Sequence, residues 1–215
     1  MKTLRINRIW ERHPSTADWR PGILAEPRHP LAEAPWERQF PYRPEVAFAV
    51  GESGDGFYLC YHVREAHVRA VATGVNGRVW EDSCVEFFVG LGEGEAHFAF
   101  EFSCIGVILA AYHDSAGERH WLPAASTEAI EVSPSLPCGV PIDRREELEW
   151  SLLSYIPFGV FLDHAEAVRS RGVLPANFYK CGDRLDRPHY LCWNPVRSAR
   201  PRFHAPECFG ELIRV

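Results

Sequence analysis

Two carboxylates, Glu86 and Glu101, fall on the polar faces of neighbouring strand-like runs, and Trp80 stands six residues before the first of them. In VWEDSCVEFFV, alternation sends Val85, Phe87 and Val89 one way and Cys84, Glu86 and Phe88 the other. In AHFAFEFSCIG, Phe98, Phe100 and Phe102 share a core face, opposite His97, Ala99, Glu101 and Ser103. The turn between the runs is short enough for an antiparallel hairpin, which would give both carboxylates one surface. Glutamate is a poor strand former, so that surface is either a solvated face carrying charge or the floor of a site. Two chemistries suit it. Paired carboxylates act as acid and base in glycoside hydrolysis at separations of ~5–9.5 Å, a distance that sequence spacing does not give. An ionised carboxylate also accepts hydrogen bonds from hydroxyl groups. A Cys–His nucleophile pair is conceivable from seven cysteines and ten histidines. No cysteine, however, lies at an exposed, electropositive helix start, where thiolates are activated. None shows the C-x-x-C spacing of structural zinc or redox pairs either.

The elements that must hold these residues are mostly strands. Short apolar runs are predicted as strands at 46–50, 57–63, 84–91, 97–104, 107–112, 148–154, 177–181, 190–193 and 212–215. The stretches GESGDG, VNGR, GLGEGE and HDSAGE between them are turn chemistry, with glycine supplying positive φ. Only residues 164–171, reached through PFGVFLD, read as helix. This pattern predicts an all-β fold, a sandwich of antiparallel sheets with little helix. Residues 1–45 are rich in proline and charge and lack periodicity. They predict an irregular N-terminal wrap anchored by Trp36, Phe40 and Tyr42, so that 1–215 forms one domain.

Composition narrows the classes. With 46% hydrophobic and 24% charged residues the chain can bury an ordinary core. A formal net charge of −6 argues against a nucleic-acid partner held through phosphates. The start MKTLRINRIWERHP has no apolar signal region, and no run approaches the ~20 apolar residues of a membrane span. With seven scattered cysteines this predicts a reducing, cytoplasmic setting, or a secreted one if a signal has been trimmed. Nothing in the sequence addresses the oligomeric state.

The run WEDSCVEFF resembles the strand of family 9 carbohydrate-binding modules in which an acidic residue follows a tryptophan by six positions, although a cysteine here shifts the Asp–Ser pair. The C-terminal run LCWNPVRSARPRFHAPECFGELIRV resembles that family's ending. Together with HFAFEFSCIG, ANFYKCGD and PHYLCWNPV it is similar to stand-alone family-9-like proteins, from about Val46 onward. The resemblance implies a DOMON-like β-sandwich that binds a mono- or oligosaccharide and performs no bond chemistry. It implies an apolar clamp formed by Trp80 and by Phe203, which replaces a second tryptophan. A pyranose stacks on such rings through its axial C–H groups and leaves its hydroxyls free for hydrogen bonds. Glu86 takes the family's acidic position, with Glu101, Arg78, His97 and Lys180 as further polar contacts, while Trp193 belongs to the fold. The competing readings are a core position for Trp80 or Phe203, and a salt bridge from Glu86 to Arg78 or Lys180. Family calcium sites lie near an Ile-Asp-Gly-type motif where this chain has Ile9-Trp10-Glu11. A hard cation needs six or more oxygen ligands, and no such set can be assembled. The expectation is no cofactor, with calcium the one ion the resemblance leaves open. Haem with a methionine ligand is excluded, since Met1 is the only methionine. The alternatives to a binding module are a carboxylate-pair glycosidase and a non-binding interaction scaffold on the same fold.

Overall fold

The alternation that starts near Glu45 closes into two sheets packed face to face. The structure, a computed structural model, describes residues 1–14, 18–92 and 94–215. Residues 15–17 of the predicted wrap and residue 93 of the predicted GLGEGE turn lie outside the described residues. In chain order the strands begin with β1 (Thr3–Trp10), β2 (His29–Pro30), β3 (Glu45–Ser53), β4 (Gly56–Glu65) and β5 (Val68–Ala70). They continue with β6 (Cys84–Gly90), β7 (His97–Ser103), β8 (Ile108–His113), β9 (Arg119–Trp121) and β10 (Glu131–Pro134). The last five are β11 (Ile142–Arg144), β12 (Leu148–Pro157), β13 (Val173–Cys181), β14 (Tyr190–Cys192) and β15 (Gly210–Arg214). Helix is confined to short pieces, among them Ala165–Ser170 inside the predicted 164–171 segment. The all-β sandwich expected from the sequence is what forms.

One sheet runs β10-β12-β4-β3-β1 and the other β1-β15-β13-β6-β7-β8-β9. The first strand joins them. Thr3–Ile6 pair in parallel with β15, and from Asn7 the same strand pairs in parallel with β3. The irregular wrap predicted for residues 1–45 therefore starts with a strand. Its signal is faint because only Ile6 of TLRINRIW is fully buried, which leaves almost no apolar alternation to read.

Aromatic rings fill the space between the sheets. Phe48 stacks on Phe178 at 3.9 Å between centroids, Phe178 on Phe87 at 5.0 Å, and Phe98 meets Phe161 edge-on at 4.9 Å. Trp193, expected to serve the fold, packs edge-on against Phe178 and Phe48. The glycine of the FG dipeptide that opens β15 has a steric reason: a Cβ on Gly210 would lie 2.4 Å from the Trp193 ring.

A charged group crosses into this core. On β13, Lys180 shares its face with Ala176 and Phe178, so it points between the sheets. Its Nζ lies 2.8 Å from Glu65 Oε2, with both side chains fully buried. Lys180 Nζ also donates to His189 Nε2 at 2.8 Å, and Glu65 Oε1 accepts the Trp150 indole N–H at 2.8 Å. Burial, with Lys180 beside it, holds His189 well below its usual range, so it is neutral and can accept. Removing one partner of a buried ion pair strands the other charge, at a cost of roughly 3–5 kcal/mol. Lys180→Met is expected to lower denaturant-unfolding stability by about that much. Adding Glu65→Gln should recover part of the loss, because it removes the stranded charge and keeps an acceptor for Trp150. No recovery in the double variant would contradict this reading of the pair.

Candidate functional site

The second sheet is buried on its outer face as well, because the segment after β14 folds back over it. Asn177 pins that segment by donating to the Asn194 carbonyl and accepting the Asn194 N–H, each at 2.9 Å, while Asn194 Nδ2 donates to the Cys208 carbonyl at 2.7 Å. The Trp36 indole donates to the Ser198 carbonyl at 2.8 Å, so the N-terminal wrap holds the same segment from outside. Between segment and sheet lies a cavity of ≈ 520 Å³, within the ~300–1,000 Å³ range of small-molecule sites. Trp80, Phe40, Tyr190 and Phe203 line it as rings. Glu86, Glu101 and Asp183 supply carboxyls, and Arg119, Arg200 and Arg202 supply guanidinium groups.

Trp80 is positioned by its backbone. It sits in a 3-10 turn, Val79–Glu81, just ahead of β6, and its ring is half-buried against the core cluster. Its carbonyl accepts the Asp183 N–H at 3.1 Å and lies 3.5 Å from Cys181 Sγ. The Asp–Ser pair after it performs local work. Asp82 accepts the N–H groups of Val71 and Ala72 at 2.9 Å each and forms a close ion pair with Arg69; Ser83 Oγ accepts the Arg69 N–H at 3.2 Å. In the turn VNGR, Asn76 adopts φ 59°, a region asparagine tolerates, and its side chain accepts the Ala110 N–H at 3.0 Å. The loop that presents Trp80 is thus tied to β8 as well as to β13.

Glu86 and Glu101 are direct cross-strand partners of the β6–β7 hairpin, which puts their Cβ atoms roughly 5 Å apart on one face. Both are buried, at 3% and 5% exposure, so this is not a solvated sheet face. Burial pushes Glu86 well above the usual carboxylate range, and the neighbouring Cys181, Glu101 and Asp183 push it further. Its Oε1 accepts the Cys181 thiol at 3.1 Å. Burial likewise pushes Glu101 up to about 8, with Arg119 opposing and Asp183 adding to the rise. The environment therefore favours a neutral Glu86, not the ionised acceptor expected from sequence, because two carboxylates removed from water side by side cannot both stay charged. Glu101 Oε2 is buried and has no hydrogen-bond partner, an acceptor aimed at whatever fills the cavity.

The other expected contacts fall into two groups. Phe203 lines the cavity but is 9% exposed; its ring stacks on Tyr179 at 4.2 Å and the Tyr179 hydroxyl donates to its carbonyl at 3.1 Å. Arg78, Lys180 and His97 do not line it. Arg78 is exposed and pairs with Glu81 at 3.3 Å, Lys180 faces the core, and His97 lies beneath His204. Neither Arg78 nor Lys180 is thus the salt-bridge partner of Glu86. The residues sequence reasoning missed are Arg119, Asp183, Tyr190, Arg200, Arg202 and His204. Asp183 accepts the Tyr190 hydroxyl, and Tyr190 meets Phe40 edge-on at 4.9 Å.

Two other chemistries find little here. Cys60 Sγ lies 3.2 Å from His62 Nε2, but burial pushes that thiol up to about 11, so the pair offers no thiolate at neutral pH. At Ile9–Glu11, where the family's calcium motif would sit, Glu11 is 89% exposed and pairs with Arg8 at 3.5 Å, so these residues do not fit a six-oxygen calcium cage.

The sequence profile of carbohydrate-binding family 9 matches residues 26–213. The fold is similar to that of a presumptive carbohydrate-binding protein from Bacteroides uniformis, 34% identical, with a TM-score of 0.88 over 100% of this chain and 99% of that one. It also resembles a family 9 carbohydrate-binding module from Caldicellulosiruptor kristjanssonii. In complex with glucose that module gives a TM-score of 0.59, covering 100% of this chain and 96% of the other; in complex with cellotriose it gives 0.58, covering 99% and 93%. Identity to both is 9%, so they bear on the fold alone. No curated protein sequence matches the chain. A family match that spans most of the sequence, on a sandwich whose tryptophan and paired carboxyls meet in one cavity, makes this chain a member of carbohydrate-binding family 9.

Proposed function

We propose that the cavity on the outer face of the second sheet binds a mono- or oligosaccharide without cleaving it. The observation that carries this reading is the partly buried Trp80 ring lining the same cavity as the buried pair Glu86 and Glu101. A flat ring suits the axial C–H face of a pyranose. A neutral carboxyl offers one donor and retains acceptor capacity, which matches a hydroxyl that both gives and accepts. Trp80 is the platform. Phe203 shows only a fringe beside it, and Tyr190 with Phe40 supplies further ring surface. The solved family members of this fold bound to glucose and cellotriose support the same ligand class.

The non-catalytic reading has a physical ground. Acid–base glycoside hydrolysis requires one carboxylate ionised as nucleophile or base while the other is protonated. Burial raises both Glu86 and Glu101, so neither member of this cross-strand pair is held as the ionised base or nucleophile. Seven free cysteines, six of them buried, support a reducing compartment as the setting. No helix among the described residues is long and apolar enough to cross a membrane.

With one principal stacked ring, the dissociation constant is expected between about 1 μM and 1 mM, roughly −8 to −4 kcal/mol. Tryptophan fluorescence under titration with a sugar panel is expected to saturate with one sugar class. Trp80→Ala should weaken that binding about tenfold or more, or about 1.4 kcal/mol. Unchanged affinity in the variant would remove Trp80 from the site; a flat response from folded wild type would contradict sugar binding.

Glu101 yields a stability test. Its folded-state value of about 8 lies above its ordinary 4.5, so between those two the folded chain keeps a proton that the unfolded chain has lost. Its contribution is complete below the lower value and is lost as pH rises through the upper one. The melting temperature should fall between about pH 5 and pH 8.5, and Glu101→Gln should make that fall shallower. Equal slopes for wild type and variant would show that Glu101 is ionised in the folded chain.

A further inference from the structure

Beside the cavity, and independent of what the cavity binds, three histidines converge. His97 on β7 and His113 at the end of β8 are direct cross-strand partners, and their rings stack at 4.6 Å with an 11° interplanar angle. His204, on the segment that covers the sheet, lies 4.3 Å from the His113 ring and 5.3 Å from that of His97. One ring nitrogen from each falls within 4.8 Å of the other two.

The hydrogen bonds fix which nitrogens face inward. His97 Nδ1 lies 2.6 Å from the Glu95 carbonyl, so it carries the proton and Nε2 keeps a lone pair. His204 Nδ1 then donates to that Nε2 at 3.0 Å. His113 bonds the backbone at Gly117, while its Nε2 is buried and has no partner in a side chain only 7% exposed. A stack of structural histidines has no need of that orphaned nitrogen. Metal-ligating histidines have this arrangement: one ring N–H anchored on a backbone carbonyl, the other nitrogen turned to the ion. Burial also holds all three imidazoles below their usual range, His113 at about 4 and His204 at about 2, so each is neutral at physiological pH, the form that ligates.

We infer that His97 Nε2, His113 Nε2 and His204 Nδ1 form a three-nitrogen site for a borderline divalent transition ion of the Zn²⁺ class. The donor set fits that class and not a hard cation, because calcium and magnesium take oxygen ligands. Binding requires His204 to move its proton to Nε2 and the three nitrogens to close to about 2.0–2.1 Å from the ion. His204 also lines the cavity, so the ion would clamp the covering segment to the sheet at the cavity wall. Nearby cations limit affinity: Arg119 and Arg202 face His204, though Arg202 is paired with Glu95 at 3.1 Å.

The test uses the untagged protein carrying Cys138→Ser, since Cys138 is the one exposed thiol among the described residues, stripped with chelator and titrated with Co²⁺ and then Zn²⁺. One equivalent of Co²⁺ should bind and give the intense visible bands of a four-coordinate site, and Zn²⁺ should displace it. Ca²⁺ should do neither. His113→Ala should weaken Co²⁺ binding at least tenfold. His204→Asn, on the covering segment, decides the matter if the β8 variant does not fold: Zn²⁺ should raise the melting temperature of the parent and not of this variant. Three results would overturn the assignment: no Co²⁺ binding, binding unchanged by either variant, or binding lost instead with His120→Ala in the exposed Asp114–Glu118–His120 cluster.

Discussion

Register places Glu86 directly against Glu101 on a face that the C-terminal segment closes off from water. Much of the site follows from that burial. Two carboxyls side by side without solvent are driven toward the neutral form, and a neutral pair needs partners that both give and accept. Glu86 finds the Cys181 thiol, whereas Glu101 keeps an oxygen unmatched. The covering segment is held by the Asn177–Asn194 exchange and by Trp36, so the enclosure depends on β13 from inside and on the N-terminal wrap from outside.

Strand β13 does two jobs at once. Its core-facing residues, Ala176, Phe178 and Lys180, complete the interior, and Lys180 neutralises Glu65 there. Its outward residues, Asn177, Tyr179 and Cys181, anchor the covering segment, support Phe203 and bond Glu86. Asp183, just beyond the strand, accepts from Tyr190 and fixes the Trp80 carbonyl. Core and site are therefore coupled through one strand, and a change in its packing reaches both faces.

Much of this was legible in the sequence. Period-two alternation located the β6–β7 hairpin, and with it the shared surface of Glu86 and Glu101. The motif resemblance pointed to Trp80 and Phe203, which meet these carboxyls in one cavity. Lys180 shows where the resemblance and the strand pattern part. Its parity with Phe178 puts it in the core, where its charge is met by Glu65, a partner more than a hundred residues away in sequence. Arg78 points away because Glu81, three residues on, captures it at the surface. Arg119, Asp183, Tyr190 and His204 come from strand ends and loops that only the tertiary crossovers bring together, and local periodicity carries no trace of them. The protonation of Glu86 was equally invisible, since it depends on a covering segment more than a hundred residues away in sequence.

The proposed binding mode lays a sugar ring on Trp80 above the Glu86–Glu101 pair. A crystal structure of the protein with glucose or a short glucan at saturating concentration tests it most directly. The expected result is a pyranose stacked on the Trp80 ring with a hydroxyl within hydrogen-bond distance of Glu101 Oε2. A sugar seated elsewhere, for example in the groove between Arg28 and Trp150 on the first sheet, with the Trp80 cavity holding only water, would contradict it.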